Sequence, residues 1–119
     1  MHRFIVVLSA AVAVFVIAAR PETGTSGKDL FERRCTGCHA LDRDKEGPRL
    51  GGVYGRVSGS VQSFHYSDAL KNAHITWDAE SLEKWLTDPE SVVPDNDMAF
   101  HVESATERSE IISYLKQTR

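Results

Sequence analysis

The sequence predicts an all-α domain of three or four short helices joined by long loops. Three observations predict it. Apolar residues recur at helical spacing, as in Leu82, Trp85, Leu86 and in Ile111, Tyr114, Leu115. No stretch alternates apolar and polar residues over a useful strand length. The chain beyond residue 19 is also short of core material: Leu, Ile, Val and Phe make up 19 of its 100 residues. That is the level, roughly 20%, at which chains begin to fail to fold unaided. Such chains complete their interior with disulfides, a metal or a large apolar prosthetic group.

Residues 1–19 differ in kind from the rest. Sixteen are hydrophobic and the only formal charge is Arg3. A basic start followed by an apolar run from Phe4 to Ala19, broken only by Ser9, reads as a secretory signal peptide. Ala18 and Ala19 offer a cleavage site, so the mature chain is expected to begin near Arg20. The run of 16 residues falls just short of the usual spanning length of about 17–25. An uncleaved membrane anchor is the alternative. Residues 20–119 then form one small domain. With 13 basic and 17 acidic side chains it carries a net charge of −4. Size excludes a multidomain enzyme or a membrane transporter, and charge argues against a nucleic-acid binder.

Gly27 to about His39 reads as the first helix, with Leu30, Phe31 and Cys35 on its apolar side. From Gly47 to Ser63 the chain carries five glycines and Pro48, which marks a loop region. A short helix is expected over Ser67–Lys71. Asp78 is the N-cap of a helix through Thr87, which Asp88-Pro89 ends. The last helix begins at Ser104-Ala105-Thr106-Glu107, a capping-box spacing, and runs to about Gln117. Its inward stripe is Ile111, Tyr114 and Leu115.

The two cysteines lie in Cys35-Thr36-Gly37-Cys38-His39. A disulfide between such neighbours closes a loop too short to contribute much stability. A zinc site would need four ligands, and no second pair stands at zinc spacing. A thioredoxin-like dithiol would follow a strand, whereas a helical stretch precedes Cys35. The reading that uses all three residues is covalent haem attachment. Two thiols three positions apart lie on nearly the same side of a helical turn and can both add to the vinyl groups of one porphyrin edge. His39 then presents a ring nitrogen to the iron.

Past the initiator, the one methionine is Met98, in a Pro- and Asp-rich loop where core packing is a poor explanation for a thioether. It is the candidate second iron ligand, with His101 as nearest rival and His65 and His74 as further possibilities. Sulfur opposite His raises haem potential. Iron with six ligands has no vacant position, which favours outer-sphere electron transfer over oxygen binding or turnover. No enzyme activity is expected. The competing readings are a haem protein with a labile Met98 and peroxidase or ligand-binding activity, and a dedicated subunit of one redox complex.

From about Gly27 to Lys116 the chain resembles class I c-type cytochromes, the mitochondrial cytochrome c and bacterial cytochrome c2 group. The resemblance rests on the haem-attachment pentapeptide and on Gly47-Pro48-Arg49-Leu50-Gly51-Gly52-Val53-Tyr54-Gly55-Arg56. It continues through Phe64-His65-Tyr66-Ser67-Asp68-Ala69, Ile75-Thr76-Trp77, Trp85-Leu86-Thr87-Asp88-Pro89, and Pro94 through Met98 with Phe100. Arg108 and Tyr114-Leu115-Lys116 close it. The resemblance implies a small cytochrome c fold wrapped around one haem c, held by two thioethers at Cys35 and Cys38, with iron between His39 and Met98. It implies that the Pro48 carbonyl accepts a hydrogen bond from His39, and that Arg56, Tyr66 and Trp77 hold a haem propionate. Gly27 would let the terminal helices cross, with Phe31 against Tyr114.

The function implied is that of a periplasmic one-electron carrier, a monomer serving respiratory or photosynthetic redox proteins. Its donor would be a quinol-cytochrome c reductase or a dehydrogenase, and its acceptor a terminal oxidase or reductase. No nucleic acid is involved, and the membrane only through an N-terminal anchor. Four features depart from the group's pattern. Trp85 stands where Tyr is commoner, Leu70 where Asn is common and Asn96 where Thr is common. Glu90, Asp95 and Asp97 occupy a region that mitochondrial relatives furnish with lysines. Docking is therefore expected to depend less on a basic face.

Overall fold

The computed structural model describes residues 26–119, together with residues 14 and 16. Apart from those two, the expected export segment and its cleavage point near Arg20 lie outside the described residues. Among the described residues five helices form: α1 (Gly27–Arg34), α2 (Asp68–Lys71), α3 (Ala79–Thr87), α4 (Pro89–Val92) and α5 (Ala105–Gln117). The class is all-α, as expected. Among the described residues the extended structure is a single bridge between Val57 and Thr76.

The Ser26 hydroxyl accepts the Asp29 N–H at 3.2 Å and starts α1. The helix stops at Arg34, short of the expected His39. The N–H groups of Cys38 and His39 both turn back to the Cys35 carbonyl, at 3.2 and 2.9 Å. Thr36 and Gly37, both weak helix formers, occupy that turn. α3 begins as read: Asp78 accepts the Ser81 N–H, and the Ser81 hydroxyl accepts the Asp78 N–H in return, at 2.9 and 2.8 Å. α4 is the addition to the expected set. Pro89 ends α3, but its fixed φ suits the first position of a new turn. At α5 only half of the expected capping box closes. Ser104 accepts the Glu107 N–H at 3.2 Å. The Glu107 carboxylate is drawn instead to one guanidinium nitrogen of Arg34, at 3.0 and 3.2 Å, and so links α5 to α1.

The terminal helices cross at Gly27. A Cβ there would stand 2.9 Å from Tyr114 Cβ and closer still to the Glu110 carbonyl, so glycine is required by contact. Phe31 and Tyr114 pack at that crossing with ring centroids 5.5 Å apart. Arg108 of α5 donates to Glu83 of α3 at 2.6 Å and to the carbonyls of Val102 and Glu103 at 2.8 Å. Leu30 and Ile111 are fully buried between these helices, and Leu115 and Ile112 join them. Tyr114 is only partly buried, so the inward stripe of α5 includes Ile112, which the sequence reading omitted.

The long loops are anchored to one another through their backbones. Leu50 and Gly51 donate to the carbonyls of Ala40 and Leu41, and Gly55, Ser58 and Trp77 exchange bonds across the Val57–Thr76 bridge. These connections leave the loops as the far wall of an interior that the helices alone do not fill.

Candidate functional site

That interior contains a cavity of about 530 Å³, within the range of about 300–1,000 Å³ usual for small-molecule and cofactor sites. Cys35, Cys38, His39, Pro48, Arg56, Tyr66, Trp77 and Met98 all line it. They come from the α1 turn, the glycine-rich loop, the 64–77 segment and the loop after α4. The structure therefore brings every sequence-predicted site residue to one space. Of the rival ligands, His65 also lines the cavity; His74 and His101 are exposed and do not belong to its lining. Leu50, Val53, Leu82, Leu86, Ile111 and Leu115 supply apolar wall.

His39 is oriented by its neighbours. Its Nδ1 lies 2.7 Å from the Pro48 carbonyl oxygen. A carbonyl can only accept, so Nδ1 carries the proton and Nε2 keeps its lone pair for a metal. A Cβ on Gly47 would stand 2.6 Å from Nδ1 and 2.7 Å from Nε2, so glycine alone lets this backbone lie against the ring. Burial lowers the His39 pKa, against a smaller opposing effect of the Pro48 bond. The ring is thus held in the neutral form that ligates metals.

Cys35 and Cys38 are not bonded to each other. Burial raises the Cys35 pKa to about 11. The exposed Cys38 donates to Glu46 Oε2 at 3.4 Å, and that bond raises its pKa as well. Neither thiol is poised as a thiolate nucleophile of the redox-dithiol kind.

Met98 is partly buried, and its Sδ accepts the Trp85 indole N–H at 3.2 Å. Trp85 is itself packed on Trp77, with centroids 5.2 Å apart. At the polar end of the cavity, Arg56 donates to the carbonyls of Arg49 and Gly51 at 2.7 and 2.6 Å. Burial lowers its pKa, and among the described residues no carboxylate pairs with it. Tyr66 accepts the Val61 N–H at 3.1 Å, which leaves its own O–H proton to donate.

These features fit a haem. The apolar walls suit a porphyrin face, and two thiols and an imidazole stand within one turn. A partly buried guanidinium without a carboxylate, beside a free phenolic donor, suits a cofactor carboxylate.

Two sets of contacts were not found from sequence. Asp44 accepts the Arg49 N–H at 2.9 Å and the Ser63 hydroxyl at 2.5 Å, which ties the 44–49 loop to the segment at Ser63. Asn96 and Glu90 form a second network around the Met98 loop. Sequence separations of up to 19 residues, with no periodic pattern, offered no signal for the first. The unusual Asn96 and Glu90 were a signal for the second.

Comparison with known proteins agrees with this geometry. Residues 25–119 match the model of the cytochrome c family. A cytochrome c of Euglena viridis is 46% identical over 93 residues, covering 76% of this chain and 91% of that protein. A cytochrome c2 of Blastochloris viridis is 37% identical over 109 residues, covering 88% and 85%. The solved structure of cytochrome cH from Methylobacterium extorquens superposes with a TM-score of 0.72 at 37% identity, covering 76% of this chain and 93% of that one. With fold, cavity and relatives in accord, the chain belongs to the cytochrome c family: a monohaem electron carrier with covalently attached haem c, not an enzyme, whose partners are redox proteins.

Proposed function

We propose that this protein is an exported, periplasmic carrier that moves single electrons between a quinol-oxidising reductase or dehydrogenase and a terminal oxidase or reductase, in a respiratory or photosynthetic chain. Cys35 and Cys38 attach the haem, and His39 and Met98 are its iron ligands. Residues 1–19 direct export, and the mature protein begins near Arg20. The haem supplies a one-electron iron couple. The chain's part is to keep both ligands in place in either oxidation state, so that little rearranges when the charge changes.

One observation carries this reading: His39 and Met98 share a cavity lining with both cysteines, each fixed by its own hydrogen bond, to Pro48 and from Trp85. Arg56, Tyr66 and Trp77 support the propionate, and Pro48 orients His39. The c2 relative supports a periplasmic setting. Among the described residues no helix is long and apolar enough to cross a membrane.

The test is expression of the full sequence in a bacterium with cytochrome c maturation machinery. Red protein in the periplasmic fraction, with the mass of residues 20–119 plus one haem, is expected. It should be reduced by quinol-oxidising membranes and reoxidised by oxidase-containing membranes. Retention in the cytosol, or redox exchange with neither membrane, contradicts the proposal; recovery in the membrane with residues 1–19 intact shows the anchored form. The acidic loop at Glu90, Asp95 and Asp97 supports docking that depends less on a basic face than in mitochondrial relatives. A steep fall of the exchange rate with salt against an acidic partner would contradict that part.

A further inference from the structure

The loop that carries Met98 has no regular structure, yet Glu90 and Asn96 tie its backbone together. α4 is one turn long and leads into Val93, which is 5% exposed and anchors the segment in the core. Asp95 then adopts a left-handed backbone, φ 66°. Asp tolerates this better than most residues, but at a cost. In that conformation the Asp95 N–H donates to Glu90 Oε1 at 3.0 Å. The Asn96 carboxamide sits at the centre. Its Nδ2 donates to the Val93 carbonyl at 2.8 Å and lies 3.5 Å from Glu90 Oε2. Its Oδ1 accepts the Met98 N–H at 2.7 Å. The opposite amide orientation would set oxygen against a carbonyl and nitrogen against an N–H, so the network fixes the assignment.

We propose that Glu90 and Asn96 form a clamp that positions Met98 for the iron. Asn96 passes the position of the buried Val93 to the Met98 backbone, and Glu90 holds the left-handed turn between them. With the Trp85 bond to sulfur, Met98 is then fixed at both its backbone and its thioether. Neither clamp residue touches the iron; both act through Met98. The proposal rests on the reading of Met98 as a ligand.

The test uses oxidised holoprotein and two readouts: the thioether-to-iron absorption band, and the equilibrium binding of added imidazole, which must displace the thioether. Glu90→Ala should bind imidazole about fivefold more tightly than the parent, the factor expected for one lost hydrogen bond. Glu90→Gln keeps the acceptor for Asp95 without the charge, and should stay within about twofold of the parent. Asn96→Ala removes the link to Val93 and to Met98 together, and should exceed Glu90→Ala with a weakened band. Equal effects of Glu90→Ala and Glu90→Gln would overturn the clamp in favour of simple charge. Unchanged imidazole binding in Glu90→Ala and Asn96→Ala, with the band intact, would also overturn it. Absence of the band in the parent would instead sink the ligand reading itself.

Discussion

The His39 side and the Met98 side of the candidate site are built differently. His39 directly follows Cys38, in the turn that closes on the Cys35 carbonyl beyond α1, and is packed against Gly47 so closely that no side chain fits between. Met98 hangs on an exposed loop whose bonds run mostly within residues 90–98, with one bond to α3 through Trp85. The imidazole is held by steric contact with Gly47 and by the Pro48 bond, next to Cys35 and Cys38, the thioether by hydrogen bonds of modest strength. Damage to the first side should therefore cost the whole protein, and damage to the second should free one ligand.

The most severe break is expected from Cys35→Ala combined with Cys38→Ala. With both attachment points gone, holoprotein yield should fall nearly to zero, read as haem absorbance per mass of chain. A stable, cooperatively folded colourless domain would contradict the idea that the cofactor completes the core. Next is Gly47→Ala, which drives a methyl group against the His39 ring. It should destabilise the holoprotein by about 1–3 kcal/mol in chemical denaturation, the usual cost of overpacking. An unchanged midpoint would show that the Gly47–Pro48 backbone can retreat.

Much of this architecture was legible because it depends on short spacing. Leu82, Trp85 and Leu86 announced α3, Asp78 its start, and the attachment pentapeptide the cofactor. Gly27 against Tyr114 was legible only through family resemblance, since the contact joins opposite ends of the domain. α4 was missed because Pro89 reads both as a stop and as a first residue, and only the backbone after it decides. The capping box at Ser104 was half right for a comparable reason. Glu107 had a local partner by spacing, but Arg34, 73 residues away, competes with charge as well as geometry. All eight predicted site residues line one cavity, while the Asp44 and Asn96 networks in the neighbouring loops follow no periodic rule.

On the Met98 side, Trp85→Phe keeps a ring and removes the donor. The indole N–H directs positive charge at the sulfur, which opposes ferric iron, so its loss should lower the potential. A lost interaction of about 1 kcal/mol corresponds to tens of mV for one electron. A rise, measured by redox titration, would show that lost packing outweighs the lost dipole.

The smallest effect concerns the 44–49 loop. The Ser63 hydroxyl and the Arg49 N–H hold the Asp44 pKa below its ordinary value near 3.8. A depressed pKa contributes stability that is fully present above the unfolded value and is lost as pH falls through the folded one. The stability gap between parent and Asp44→Asn should thus be constant above about pH 5 and close below about pH 4, followed by denaturant midpoints. A gap that persists to lower pH would assign it to shape rather than charge.

Whether the thioether is an iron ligand is decided by Met98→Ala, followed by intact mass and by the visible spectrum of its oxidised form. The mutant is expected to retain one covalently bound haem. It should lose the thioether-to-iron band that the parent shows, bind cyanide readily, and fall in potential, on the order of a few hundred mV given the range over which axial ligands tune haem. A parent without that band, or a mutant that keeps it, would place a different residue on the iron and undo the assignment.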